Sequence, residues 1–179
     1  MVVLDYDKKW PEDFSQIKTE LLKAISVPAI IQHVGSTSIP GMSAKPIIDV
    51  DLALESFDDF GKVKDDLRKI GYEHEGDFGI KGREAFARDG VTHNTILDAI
   101  DHHLYVCSTE NEEYKRHILF RDYLRSHDEA RDAYNQIKKE ILKKVGQDNR
   151  AAYVLMKEKE YGDFFEDVIS KAKKEHSNE

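Results

Sequence analysis

The sequence has one cysteine, Cys107, four prolines, and no apolar run approaching the ~20 residues needed to span a bilayer. A lone thiol excludes an intramolecular disulfide and fits a reducing, cytoplasmic setting. Residues 1–10 (MVVLDYDKKW) lack the apolar stretch of a signal peptide. No internal repeat occurs, and low complexity is confined to the polar tail after Lys171. An excess of basic charge is also missing. The net charge of −8 argues against a general nucleic-acid coat or an anionic membrane surface as partner, while leaving room for a local basic pocket. What is present is a chain of 179 residues, 40% apolar and 35% charged, long enough for one domain with a core and a heavily charged surface.

Taken in order, Val2 to Leu4 is β-prone. Phe14, Ile17, Leu21, Leu22 and Ile25 recur at helical spacing, with Pro11 in the first turn and Glu12 and Asp13 at the positive end of the dipole. They predict a helix from Pro11 to Ala24. Ala29 to Val34 reads as a short strand, residues 35–44 as a loop rich in Gly, Ser and Thr, and Ile47 to Leu54 as a second strand. Ser56 caps a helix carrying Phe60, Val63, Leu67 and Ile70, closed by Gly71. Residues 72–82 read as loop or weak strand, 84–88 as a strand, and 90–101 as a mobile insert without a readable pattern. His102 to Cys107 is a strand with His103, Tyr105 and Cys107 on one face. Three helices follow: one to Ser126, one ended by Gly146, and a long last one patterned by Tyr153, Met156, Tyr161, Phe164, Phe165 and Ile169, with an interruption at Gly162. This order predicts a mixed α/β or α+β unit with a C-terminal helical bundle.

The chemistry concentrates between Ile30 and Leu54. Asp49 and Asp51 stand two apart in an apolar strand, so both carboxylates point to one side. Two like charges held close are kept ionised most readily by a bound divalent cation. Upstream, Gly35-Ser36 forms a small-residue turn of the kind that lets backbone N–H groups approach a phosphate. Lys45, Arg83, His33, Arg121 and Lys138 could add positive charge, although Arg121 and Lys138, taken singly, read as solvated helix faces. Adjacent histidines on a strand face opposite ways, so His102 and His103 do not make a zinc pair. Cys107 reads as a small buried residue.

Gly-Ser followed by a spaced Asp-x-Asp on a strand resembles the signature of the nucleotidyltransferase (polymerase β-like) superfamily. More closely, HVGSTSIPGMSAKPIIDVD at 33–51 is similar to the hallmark block of the GrpB family. YDKKWP at 6–11, GREAF at 82–86, HHLYVC at 102–107 and FRDYLR at 120–125 agree in order, so the resemblance spans nearly the whole chain. It implies a nucleotidyltransferase-like mixed sheet flanked by helices, in a single domain over 1–179 with an α/β core to about residue 108 and a helical part from 109 on. It implies Gly35, Ser36 and Thr37 as the phosphate-holding turn, with Lys45 and Arg83 beside it. It implies Asp49 and Asp51 as the acids binding Mg²⁺ or Mn²⁺. The superfamily has a third carboxylate on a neighbouring strand. His103 occupies that kind of position here, with Glu84 and Asp101 as the other candidates. The implied function is nucleotidyl transfer from a nucleoside triphosphate to an acceptor the sequence does not identify. The alternative is a non-catalytic nucleotide- or coenzyme-binding module, or an accessory protein.

Overall fold

In the computed structural model, residues 3–160 and 162–176 are described, with backbone alone for 158–160 and 176. Helix α1 (Trp10–Ala24) has Pro11, Glu12 and Asp13 in its first turn and buries Trp10, Ile17 and Leu21 along one stripe. Strands β1 (Ile30–Val34) and β2 (Ile48–Leu54) follow, joined through a 3₁₀ turn at Ser36–Ser38. The Ser56 side chain caps the next 3₁₀ turn, accepting from the Asp58 N–H at 3.2 Å, and leads into α2 (Phe60–Lys69). Next come β3 (Tyr72–Gly76), β4 (Arg83–Arg88), α3 (Thr95–Ala99) and β5 (His102–Ser108). Helices α4 (Glu112–Ser126), α5 (Asp128–Val145), α6 (Arg150–Glu160) and α7 (Gly162–His176) complete the chain.

The five strands form one mixed sheet in the order β1-β2-β5-β4-β3. Only β2 and β5 are parallel, and their connection crosses over through α2, the β3–β4 hairpin and α3. Strand alternation divides the sheet into two unlike faces. On one, Ile31, Ile48, Val50, Leu52, Leu54, Leu104, Val106 and Phe86 pack against Trp10, Ile17, Leu21, Val63 and Leu67 of α1 and α2. The other carries Asp49, Asp51, His103, Tyr105 and Arg83 in register across β2, β5 and β4. There Ala53 and Cys107 meet Tyr114 and Ile118 of α4. A separate cluster ties Ile39 and Met42, in the loop after β1, to Leu124, Tyr134, Phe164 and Phe165 of the C-terminal helices. The helical part thus faces the polar side of the sheet and braces the glycine turn. Among the described residues, no helix is long and apolar enough to cross a membrane.

The structure sharpens several of these expectations and corrects one. Of the loop or weak strand at 72–82, residues 72–76 are a paired edge strand, because Tyr72 is buried in the core and His74 turns inward to Phe86 and Phe60 while Glu73 and Glu75 face out. Residues 90–101 hold α3, nucleated by Asn94, whose side chain accepts from the Ile96 and Leu97 N–H groups. Leu4, in the β-prone start, makes a single bridge with Ala44, and the last helical stretch falls into α6 and α7, the second beginning at the expected interruption, Gly162. Val2 and Tyr161 lie outside the described residues.

Candidate functional site

The parallel pairing sets His103 opposite Asp49 and Tyr105 opposite Asp51. His103 donates from Nδ1 to Asp49 Oδ1 at 2.9 Å, and His117 of α4 donates from Nδ1 to Asp51 Oδ2 at 2.6 Å. Each carboxylate is therefore fixed by an imidazole. Their settings differ: the Asp49 side chain is 34% exposed, whereas Asp51 is fully buried and its Oδ1 has no hydrogen-bond partner. An orphaned carboxylate oxygen in a protein interior is costly unless something positive is meant to meet it.

The glycine turn is pressed onto this carboxylate pair. Gly35 has φ 70° and ψ −175°, a conformation open essentially to glycine alone. A Cβ there would stand 2.2 Å from Asp49 Oδ2. The turn is closed by Ser38, which donates to the Gly35 carbonyl from Oγ at 2.6 Å and from its N–H at 3.2 Å. Thr37 is buried, its hydroxyl engaged by the Ile47 carbonyl and the His33 ring. Burial holds the His33 imidazole down at about 4, with the Arg125 and Arg121 charges adding to the effect and Asp49 opposing it.

Lys138 approaches the same turn from α5. Its ammonium group donates to Ser36 Oγ at 2.8 Å and to the Ser43 carbonyl at 2.6 Å, and lies 4.3 Å from the centre of the Tyr134 ring. It is 3% exposed. Burial drives its pKa well below the usual lysine value, and the Lys157 and Lys45 charges push the same way. Lys45 is lowered for similar reasons, burial first and then Arg150 and Lys157. The Arg83 guanidinium stacks 3.5 Å from the centre of the Tyr105 ring. Burial raises the Tyr105 phenol, against the pull of Arg83.

These groups line one cleft of about 710 Å³ between the polar sheet face and helices α4 to α7. Gly35, Ser36, Thr37, Lys45, Asp49, Arg83 and His103 all border it, whereas Asp51 is fully buried and does not. Lysines and arginines dominate its walls: Lys45, Arg83, Arg116, Arg121, Lys138, Arg150 and Lys157, against the carboxylates of Asp49, Glu113 and Glu166. In a chain of net charge −8 this is a concentrated positive field.

Two of the candidates for a third carboxylate are not on this surface. Glu84 points to the opposite sheet face, where it bonds His74 Nε2 at 2.5 Å. Asp101 precedes β5, is exposed, and does not border the cleft. Arg121 and Lys138 are not solvated helix faces but are 8% and 3% exposed. Arg121 donates to the Gln32 side chain at 2.8 Å and to the His33 carbonyl at 3.1 Å, locking α4 to β1. The pairing of His117 with Asp51 and the place of Arg116 in the cleft were not foreseen from the sequence. The available signal was helical spacing, since Tyr114, His117, Arg121 and Leu124 lie on one face of α4.

Among the described residues, no three His, Cys, Asp or Glu side chains are gathered as a protein-only metal cage. The donor set nonetheless fits a hard divalent ion. Two carboxylates on one sheet face, one with a free buried oxygen, match the way Mg²⁺ is held by one or two acids and completed by phosphate oxygens and water.

This mixed sheet flanked by helices has the fold of the nucleotidyltransferases. The chain superposes on the Cid1 poly(U) polymerase with a TM-score of 0.51 at 15% identity, covering 78% of this chain and 44% of Cid1. It belongs to the GrpB family, whose model (GrpB protein) matches residues 1–171. It is 37% identical to UPF0157 protein YqkA of Bacillus subtilis over 141 residues, 78% of this chain and 39% of that protein's length. It is 31% identical to the glutamate-rich protein GrpB of Alkalihalophilus pseudofirmus over 154 residues, 84% of this chain and 86% of that one. The crystal structure of GrpB from Enterococcus faecalis matches with a TM-score of 0.77 at 27% identity, over 95% of this chain and 98% of that one.

Proposed function

We propose that the cleft binds a nucleoside triphosphate together with Mg²⁺ or Mn²⁺ and transfers its nucleotidyl group to an acceptor. The observation that carries this reading is the contact of Gly35 with Asp49 inside a ring of lysines and arginines. A phosphate-sized anion there meets a backbone turn and positive side chains, with a carboxylate close by that only a cation can reconcile with it. Gly35 and Ser36 hold the terminal phosphates, with Lys138 and Lys45 as their counter-charges. Arg83, stacked on Tyr105, borders the other end of the nucleotide. A divalent ion bound at Asp49 and the unpartnered Oδ1 of Asp51 would neutralise charge developing at phosphorus. His103 has its Nδ1 engaged by Asp49, which leaves Nε2 to take the proton of an attacking hydroxyl. Cid1, which shares the fold, was solved with MgGTP bound, the class of ligand assigned here.

The second reading is a nucleotide-binding module without transfer. It is favoured by one observation, the imidazole of His103 where the superfamily has a carboxylate beside the acid pair. Calorimetry with Mg²⁺ or Mn²⁺ and ATP tests binding. Wild type should give saturable heats that Asp49→Asn/Asp51→Asn loses, and equal heats for both proteins would sink the proposal. Pyrophosphate release in the presence of acceptor pools separates transfer from binding alone.

A further inference from the structure

A second cavity, also of about 710 Å³, opens on the far side of His103 and Tyr105, which border both spaces. Its other walls come from Ala85 and Ala87 of β4, from Phe78 and from the Val91 to His93 segment. Phe78 and Val91 are 70% and 87% exposed, an unusual degree for apolar side chains facing a hollow. The glycine turn and the cavity stand on opposite sides of Asp49: the turn continues from Val34, paired with Asp49 on one side, and the cavity begins at His103, paired with it on the other. In-line displacement at phosphorus requires that layout, with leaving group and nucleophile on opposite sides of the reacting atom.

The two spaces differ in sign. The second cavity is bordered by the carboxylates of Glu75 and Asp101, by the ion pair of Arg88 with Asp98, and by His93, which lies 3.0 Å from Asp98. Arg88 donates to Asp98 Oδ1 at 2.7 and 2.9 Å and to the carbonyls of Ile70 and Thr92, so these two charges cancel and Glu75 and Asp101 set the sign. An anionic acceptor would meet repulsion there, and a cationic one attraction.

We infer that this cavity is the acceptor subsite and that it takes a small cationic molecule carrying a hydroxyl or amine nucleophile, not a phosphate-bearing or nucleic-acid end. The inference rests on the transferase reading. In the step it implies, the acceptor oxygen or nitrogen bonds to the α-phosphorus of the nucleoside triphosphate. The bond from that phosphorus to the bridging oxygen breaks, and pyrophosphate leaves with the electron pair. The acceptor proton passes to His103 and on to solvent.

A charge series on one carbon skeleton tests this: N-methylglucamine (cationic), sorbitol (neutral) and sorbitol phosphate (anionic). Each is titrated, by amide and imidazole NMR shifts, into the full chain saturated with Mg²⁺ and a non-hydrolysable ATP analogue. The expected result is binding of N-methylglucamine about tenfold tighter than sorbitol phosphate, with shifts at Ala87, Val91 and His103. In Glu75→Lys/Asp101→Lys, two exposed positions, the order should invert. Tighter binding of sorbitol phosphate to wild type, or no shift at these residues with any of the three, overturns the inference. Failure of the ATP analogue to saturate the protein in the first place refutes the transferase reading instead, so the two failures are distinct.

Discussion

Replacing Gly35 by alanine should both destabilise the fold and disable the cleft. The backbone at φ 70° and ψ −175° would cost about 1–3 kcal/mol for a residue with a Cβ. The new methyl group would sit 2.2 Å from Asp49 Oδ2 and 3.0 Å from its Cγ, so the carboxylate must swing away and release the 2.9 Å bond from His103. For a pair as exposed as this one, that loss adds about 1 kcal/mol. Restricting the unfolded chain returns up to about 1 kcal/mol. The net expectation is a loss of about 1–3 kcal/mol, or about 3–10 °C in Tm for a domain of this size. Urea and thermal unfolding measure it, and triphosphate calorimetry on the same protein should show binding weakened at least tenfold. A double-mutant cycle isolates the clash: in an Asp49→Ala background, Gly35→Ala should retain the backbone strain but lose the carboxylate term, giving a coupling of about 1 kcal/mol. A Gly35→Ala protein within about 0.5 kcal/mol of wild type that still binds triphosphate normally would refute the reasoning.

Other expectations follow from burial. His33 titrates at about 4 in the fold against an ordinary 6.5, so the unfolded chain binds more protons between those values. Stability should therefore fall, by on the order of 3 kcal/mol, as pH drops through that window, and a His33→Gln protein should show a flatter acid limb in pH-dependent denaturation. Cys107 is fully buried, and burial pushes its thiol up to about 12, so alkylation should proceed only under unfolding conditions. Lys138→Met should weaken inorganic tripolyphosphate binding by about tenfold or more, with a shallower salt dependence, while far-UV circular dichroism is unchanged.

The apolar sheet face and the acid strand were legible because alternation and burial coincide there: Ile48, Val50, Leu52 and Leu54 are all buried and Asp49 and Asp51 share the other side. The glycine turn was legible because small residues cluster ahead of Lys45. Buried charge was not. Arg121 and Lys138 sit on helices whose polar surfaces look solvated in one dimension, and only the packing of α4 and α5 over the turn turns them inward. Strand β3 was obscured because YEHEG has a single large apolar residue, and its covered face is completed by His74 against Phe60. The His117–Asp51 pair joins residues 66 apart, and no local spacing announces such a contact.

The most direct test of the central claim is a crystal of the full chain grown with Mn²⁺ and a non-hydrolysable nucleoside triphosphate, read by anomalous scattering. The account predicts a manganese peak against Asp49 and Asp51 Oδ1, with phosphate density reaching the Gly35–Ser36 turn and Lys138. Triphosphate density elsewhere on the molecule, or manganese bound away from these two carboxylates, would contradict it.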